Sequence, residues 1–181
     1  LLQAAIEHRE TLAAVPADYV GGELRQIISG CGDGLAGLVR QTQEILLTIL
    51  PELIPMVGFQ QNNRYHVHDV WQHTLAALEA AGRDEIVRFA VLFHDIGKLE
   101  EMNGGLTTEY TDAGRLLGHI IQGLAMLEPF LAASGLEPDL ALHFRHLIAS
   151  HHGEPEFGAA VRPMCAEAEL LSEIDIIDSR M

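Results

Sequence analysis

Apolar residues recur every three or four positions along almost the whole chain, the period of a helix that packs one of its sides. No stretch of useful length alternates apolar and polar residues as a half-buried strand would. Residues 2–14 predict a first helix and 18–29 a second, with Asp18 placed after Pro16 to cap it. A glycine-rich joint from Gly30 to Gly34 leads into a helix reaching Leu50, and Pro51 to Asn63 reads as a short turn-like connection. Beyond it, a helix over 68–81 carries Trp71, Thr74, Leu75 and Leu78 on one side. At about 100° per residue, Asp69 and His73 fall on the other side with Ala76, Ala77 and Ala80. The next helix starts from Asp84, buries Ile86, Phe89, Ala90 and Phe93, and ends in His94-Asp95. From Thr111 a long helix aligns Leu116, Ile120, Leu124 and Leu127, with His119 on their flank. From Pro138, Phe144, Leu147, Ile148 and His151 share a face, and His146 points away from it. A last helix from Pro163 holds Leu170, Leu171, Ile174 and Ile177, with Asp175 at its edge and Asp178 among them. The pattern predicts an all-α fold, a helical bundle over 61–181 with an N-terminal helical annex over 1–60.

Composition narrows the function classes. At 181 residues and 48% hydrophobic, the chain suffices for one well-cored domain with an annex. A formal charge of −15 argues against a broad nucleic-acid-binding surface, which needs clustered Lys and Arg. Bound cations would offset several of those acids, so the expected partner is a small phosphorylated substrate, a nucleotide above all, and not extended nucleic acid. A homo-oligomer stays open. Cys31 and Cys165 form neither a disulfide framework nor a paired metal motif, which fits a reducing cytoplasm. The longest apolar stretch, Ile45 to Phe59, is interrupted by Pro51, Glu52 and Pro55 and is too short to span a bilayer. No signal peptide is visible, and membrane attachment is not expected. A start at Leu1 without an initiator Met and an end at Met181 inside a helical pattern read as a piece of a longer protein.

The chemistry concentrates in Phe93-His94-Asp95-Ile96-Gly97-Lys98. An adjacent His-Asp pair offers one imidazole nitrogen and one carboxylate oxygen to the same ion, and Lys98 puts a cation within reach of a phosphate. Gly97 would let the backbone come close to that phosphate or metal. Several neighbours have plainer readings. His119 alone would pass for a hydrogen-bonded core residue, and His8 carries no signal. His143 and His146 have ligand-like spacing but read as a solvated or partner-facing surface. His68-Asp69 is a second His-Asp pair at a helix start, where capping by Asp69 explains it equally well. Glu167, Glu169 and Glu173 read as a solvated helix face. The joint occurrence of His73, His94-Asp95, His119, His151-His152 and Asp175 points past these to a two-metal hydrolytic centre.

That constellation resembles the HD superfamily of metal-dependent phosphohydrolases over roughly residues 61–181. The resemblance implies a first ion held by His73, His94, Asp95 and Asp175. It implies a second held by His119 and His151, with His152 as a further ligand and Asp95 bridging. Asp69 matches a carboxylate that some HD phosphodiesterases add. Asp95 and Lys98 would be catalytic, and Lys98, Arg64, His66 and Arg115 would hold the phosphate. Two divalent ions, Mn²⁺, Fe or Mg²⁺, suit imidazole and carboxylate donors. The stretch from Arg9 to Leu78, with Leu50-Pro-Glu-Leu53 and Asn63-Arg-Tyr-His-Val-His-Asp-Val-Trp-Gln-His-Thr74, is similar to the HD region of bacterial tRNA nucleotidyltransferases. Tyr110-Thr-Asp-Ala-Gly-Arg-Leu-Leu-Gly-His-Ile120, Ser150-His-His-Gly153 and Ile174-Asp-Ile-Ile-Asp178 are similar to the YhaM-type 3′–5′ exoribonucleases. The expected function is hydrolysis of small nucleotides or short oligonucleotides, as a phosphatase or phosphodiesterase. The alternatives are a non-catalytic sensing or assembly module with a structural metal, and an exoribonuclease module. No aromatic platform for successive bases is apparent in the sequence.

Overall fold

Short helices near the N-terminus give way to longer ones around the His-rich centre in a computed structural model, which describes residues 2–61, 68–104 and 108–179, the last three as backbone only. The predicted first helix is divided. Helix α1 (Leu2–Glu7) ends at His8 and a 3-10 turn over Arg9–Ala14 follows. Neither piece buries a residue, so no packed face enforces α geometry. Helix α2 (Ala17–Gly30) begins one residue earlier than predicted and takes Pro16 as its N-cap, leaving Asp18 inside the first turn rather than capping it. The predicted helix to Leu50 is broken at Thr42 into α3 (Leu35–Gln41) and α4 (Gln43–Ile49). At the break the Thr42 hydroxyl donates to the Leu38 carbonyl, and the Trp71 indole N–H donates to Gln43 Oε1 at 2.7 Å.

The core helices start where their caps direct. Asp69 accepts from the Gln72 N–H at 2.7 Å and opens α5 (Val70–Ala80), and Asp84 accepts from the Val87 N–H and opens α6 (Glu85–Phe93). Helix α6 inserts Val87, Ala90, Val91 and Leu92, whereas Ile86, Phe89 and Phe93 are only half-buried. The latter three line a cavity of about 1150 Å³ against the N-terminal segment, with Val20, Leu24 and Phe144. Beyond Asp95 a single turn, α7 (Lys98–Glu101), runs into a two-residue hairpin, Met102–Asn103 against Glu109–Tyr110. This is the one strand pairing among the described residues, and it was not expected. Then come α8 (Asp112–Ala133), capped by Thr111, α9 (Pro138–Ser150) and α10 (Ala166–Ser179).

One apolar cluster joins α2 through α6 with α8, α9 and α10. Ile28, Leu35, Leu46 and Leu53 of the N-terminal segment share it with Trp71, Leu75, Val91, Leu147 and Leu171. Each fully buried side chain of this kind contributes about 1.5–3 kcal/mol. The buried Arg88 guanidinium fastens α2 to α6, donating to the carbonyls of Ile28, Cys31, Gly32 and Gly82 at 2.5–2.8 Å. Four backbone acceptors that would otherwise be unpaired share one cation.

Helix α8 is two helices in sequence. Gly118 adopts φ 68 and ψ 165, which only glycine takes without strain. The break shifts the phase of the apolar stripe: Leu116, expected inside, is 82% exposed, while Ile120 and Leu127 after the break are buried. Helix α8 is also the one described helix that is long and apolar enough to cross a membrane. Its continuous part, 119–133, covers only about 22 Å at roughly 1.5 Å per residue, short of the ~30 Å hydrocarbon layer. Gly97 serves α8 too. A Cβ there would stand 2.0 Å from the His119 carbonyl oxygen and 2.5 Å from the Gly123 nitrogen. The close approach that this glycine permits is therefore to a helix backbone, and not to a phosphate or metal as the motif suggested.

Candidate metal centre

Five elements bring the chemistry together. His73 comes from the middle of α5, and His94-Asp95 from the end of α6. His119 follows the break in α8, His151 stands at the end of α9, and Asp175 lies within α10. All six are buried. His94 and His151 occupy the C-caps of their helices, so two negative dipole ends face the cluster, a setting that favours cations.

The imidazoles are oriented by their far nitrogens. His94 Nδ1 lies 2.8 Å from the Val91 carbonyl, His151 Nδ1 2.7 Å from that of Ile148, and His152 Nδ1 2.8 Å from that of Phe157. A carbonyl can only accept, so each Nδ1 carries the proton and each Nε2 lone pair is turned inward. His119 is held by Glu101, whose Oε1 lies 3.3 Å from Nδ1 and accepts the His119 backbone N–H at 3.1 Å. Carboxylates and carbonyls behind the imidazoles are the usual support of metal-ligating histidines.

Two donor groups result, and Asp95 belongs to both. In the first, His73 Nε2 stands 3.1 Å from His94 Nε2, 3.0 Å from Asp175 Oδ1 and 3.5 Å from Asp95 Oδ2. His94 Nε2 lies 3.4 Å from Asp95 Oδ2. In the second, His119 Nε2 and His151 Nε2 are 3.4 Å apart, and Asp95 Oδ1 lies 3.7 and 3.8 Å from them. Donors about 2.1 Å from one ion are separated by roughly 3.0–3.5 Å, so these spacings suit coordination polyhedra. His152 joins the second group. Asp95 thus turns one oxygen toward each set. Among the described residues neither oxygen accepts a well-aligned hydrogen bond, although both are buried and the Lys98 ammonium stands 2.8 Å from Oδ2 as an ion partner. A buried carboxylate in that condition fits a divalent ion on either side.

The charges agree. Burial alone would raise Asp95, but Lys98, His94 and His151 hold it well below the carboxylate range. Burial likewise opposes ionisation of Asp175, and the adjoining imidazoles of His73 and His94 overcome it, holding it well below the carboxylate range. Burial is the leading cause that lowers His119 and His151, and together with His151 it pushes His152 down to about 4. All three rings are neutral at pH 7 and able to donate lone pairs. An unfolded histidine takes up its proton near pH 6.5, whereas folded His152 waits until about 4. Between those values the unfolded chain binds more protons, so stability falls as pH falls, and His119 and His151 act in the same direction. Asp95 and Asp175 lose their contribution only further down, below the ordinary carboxylate range. Chelator-treated protein is expected to melt at a lower temperature at pH 5 than at pH 7. An unchanged or higher midpoint at pH 5 would show that these rings are not held neutral.

Lys98 is itself buried and spends its ammonium on Asp95 and on Gln61 Oε1, at 2.8 Å each. It lines a cavity of about 510 Å³ beside the second donor group, with Gln61, Glu101, Tyr110, His119 and Phe157. Arg115 is exposed and is not among the residues lining this cavity. Arg64 and His66 lie outside the described residues. Asp69 is used by the α5 cap and by the Gly58 N–H at 3.1 Å, and stays outside both donor groups. The sequence reading missed Glu101, Gln61 and the aromatic pair. The only sequence signal for them was the position of Glu101 three residues after Lys98. Tyr110 is 50% and Phe157 65% exposed, so two partly exposed rings line the cavity where no aromatic platform had been expected.

Residues 64–180 match the family model described as the HD domain. The 3′–5′ exoribonuclease YhaM of Oceanobacillus iheyensis is 38% identical over 148 residues, covering 79% of this chain and 46% of that protein. Those of Bacillus licheniformis and Bacillus velezensis are 41% identical over 153 residues, covering 78% of this chain and 48% of theirs. The chain spans about half the length of the curated relatives it matches. No solved structure matches it. These relatives overturn the expectation that extended nucleic acid is no partner, since their printed activity is on RNA. That expectation rested on net charge, whose reach is screened within about 8 Å at physiological salt. A cavity beside clustered metal-ligating side chains experiences its own local field instead.

Proposed function

The chain belongs to the HD domain family, and from that premise we propose that it is a two-metal phosphodiesterase that removes nucleotides from the 3′ end of RNA. The observation that carries the two-metal reading is Asp95, buried, with one oxygen toward each donor group and neither in a well-aligned hydrogen bond. His73, His94, Asp95 and Asp175 would hold one ion, and Asp95, His119, His151 and His152 the other. When bound, the ions supply Lewis acidity toward the phosphoryl group and a water of lowered pKa. Mn²⁺, Fe and Mg²⁺ suit these nitrogen and oxygen donors, and no thiol stands among them.

The remaining roles fall to the chain. Glu101 and the backbone carbonyls fix the imidazole tautomers, so the geometry needs no reorganisation when substrate arrives. Lys98, held between Asp95 and Gln61, would offer its ammonium to a phosphate oxygen at the cavity wall. The buried Gln61 Nε2 has no partner among the described residues and is available as a donor at the cavity wall. Tyr110 and Phe157 stack the terminal bases, a contact worth about 1–3 kcal/mol per base and indifferent to sequence. The cytoplasm suits this reading, since the two cysteines are unpaired.

The test uses one single-stranded RNA, labelled at either end, with Mn²⁺ present. The 3′ label is expected to leave at once as a mononucleotide, while the 5′ label moves down a ladder. Turnover of free nucleotides with the RNA left intact would overturn the substrate. Full metal content with no hydrolysis of any phosphoester would replace the enzyme by a binding module.

A further inference from the structure

We propose that His143, Cys165 and Glu167 form a separate zinc-type site that clips α9 to α10. The three come from two elements. His143 lies in the second turn of α9, Cys165 immediately precedes α10, and Glu167 is in the first turn of α10. His143 Nε2 stands 3.4 Å from Cys165 Sγ and 3.6 Å from Glu167 Oε2. Cys165 Sγ and a Glu167 carboxylate oxygen also lie within 4.8 Å of each other, so all three donor atoms are gathered around one point. Tetrahedral zinc with N, S and O donors at about 2.05, 2.3 and 2.1 Å separates N from S by roughly 3.5 Å and N from O by roughly 3.4 Å. The two edges that meet at His143 Nε2 therefore have the lengths of a coordination polyhedron before any ion enters.

His146, one turn further along α9, keeps the sulfur in place. Its Nε2 accepts the Met164 N–H at 2.9 Å, fastening the segment that carries Cys165 to the same helix as His143. His143 and His146, which the sequence suggested were a solvated or partner-facing surface, thus both face the chain's own approach to α10. All three donor residues are half-buried, which leaves a fourth position for water. The donor set differs from that of the buried centre: a thiolate with an imidazole selects zinc or cobalt over manganese or magnesium. The consequence is mechanical. Helix α9 ends in His151 and α10 carries Asp175, so an ion here fixes the two helices that close the centre described above.

Cobalt titration of the full-length chain tests the site without reference to turnover. Co²⁺ is expected to produce a near-ultraviolet sulfur-to-cobalt charge-transfer band in the native protein and in Cys31→Ser, because Cys31 lies elsewhere. Cys165→Ser should abolish the band, and His143→Gln, which keeps the thiol, should weaken Co²⁺ binding at least ten-fold. Zn²⁺ should displace the band and raise the melting temperature of native protein more than that of C165S. Absence of the band in native protein, its survival in C165S, or its dependence on Cys31 would each overturn the proposal.

Discussion

Replacing Asp95 by Asn is expected to lower turnover by roughly 10³-fold or more and to strip both donor groups of metal together. The substitution preserves shape, so the effect is one of charge. Asp95 Oδ2 faces His73 and His94, and Oδ1 faces His119 and His151. An amide keeps one weak acceptor and turns an N–H toward the other set, where a cation belongs. Lys98 stays within 2.8 Å of Gln61 Oε1 but loses its buried counter-ion. Thermal stability is therefore a poor readout for this variant, since removing a buried carboxylate and orphaning a buried ammonium oppose each other. Metal content is the sharp one. Native protein loaded with Mn²⁺ should hold two ions at this centre and Asp95→Asn fewer than one. A variant that keeps one ion at full occupancy would mean that Asp95 serves a single site.

Gly97→Ala should cost about 3 kcal/mol, which for a chain of this size lowers the melting temperature by about 10 °C. The added methyl meets the His119 carbonyl oxygen at 2.0 Å and the Gly123 nitrogen at 2.5 Å, and both are backbone atoms that no rotamer change can move. The relief is a shift of α8 away from α7, which carries His119 away from Asp95. The second donor group should lose affinity while the first keeps its ion. Gly21→Ala provides the opposite sign. That glycine sits inside α2 with nothing within 4 Å of its would-be Cβ, so alanine should stabilise by about 0.5–1 kcal/mol. Equal effects from the two substitutions would mean that packing against α8 is not what Gly97 is for.

The residues that read correctly from sequence are those whose signal is local. Asp84 and Thr111 cap the helices they precede, and the i, i+3, i+4 pattern of Phe144, Leu147, Ile148 and His151 survives as a buried face. The seven His and Asp residues picked for one centre lie together in two groups that share Asp95. What did not read correctly depends on a partner far along the chain or on a backbone angle. Glu101 supports His119 across 18 residues, and nothing near either one announces the pair. Gly118 breaks α8 by a positive φ, so Leu116, aligned on paper with the buried stripe, ends up outside. The role of Gly97 is decided by a helix more than 20 residues later. His143 and His146 looked solvated because Cys165 and Met164 reach them only through the turn before α10.

The first donor group also dictates when the centre comes into being. His73 and Asp175 touch at 3.0 Å across 102 residues of chain. At the pace of synthesis, about 5–20 residues per second, the carboxylate is made roughly 5–20 s after the imidazole it meets. Such a long-range closure is a late event on any folding route, because the loop must be ordered before the contact can reward it. Uptake of an ion by the first donor group therefore waits until α10 has been made and docked against α5. A centre assembled in this order stays open on one side until its last helix arrives.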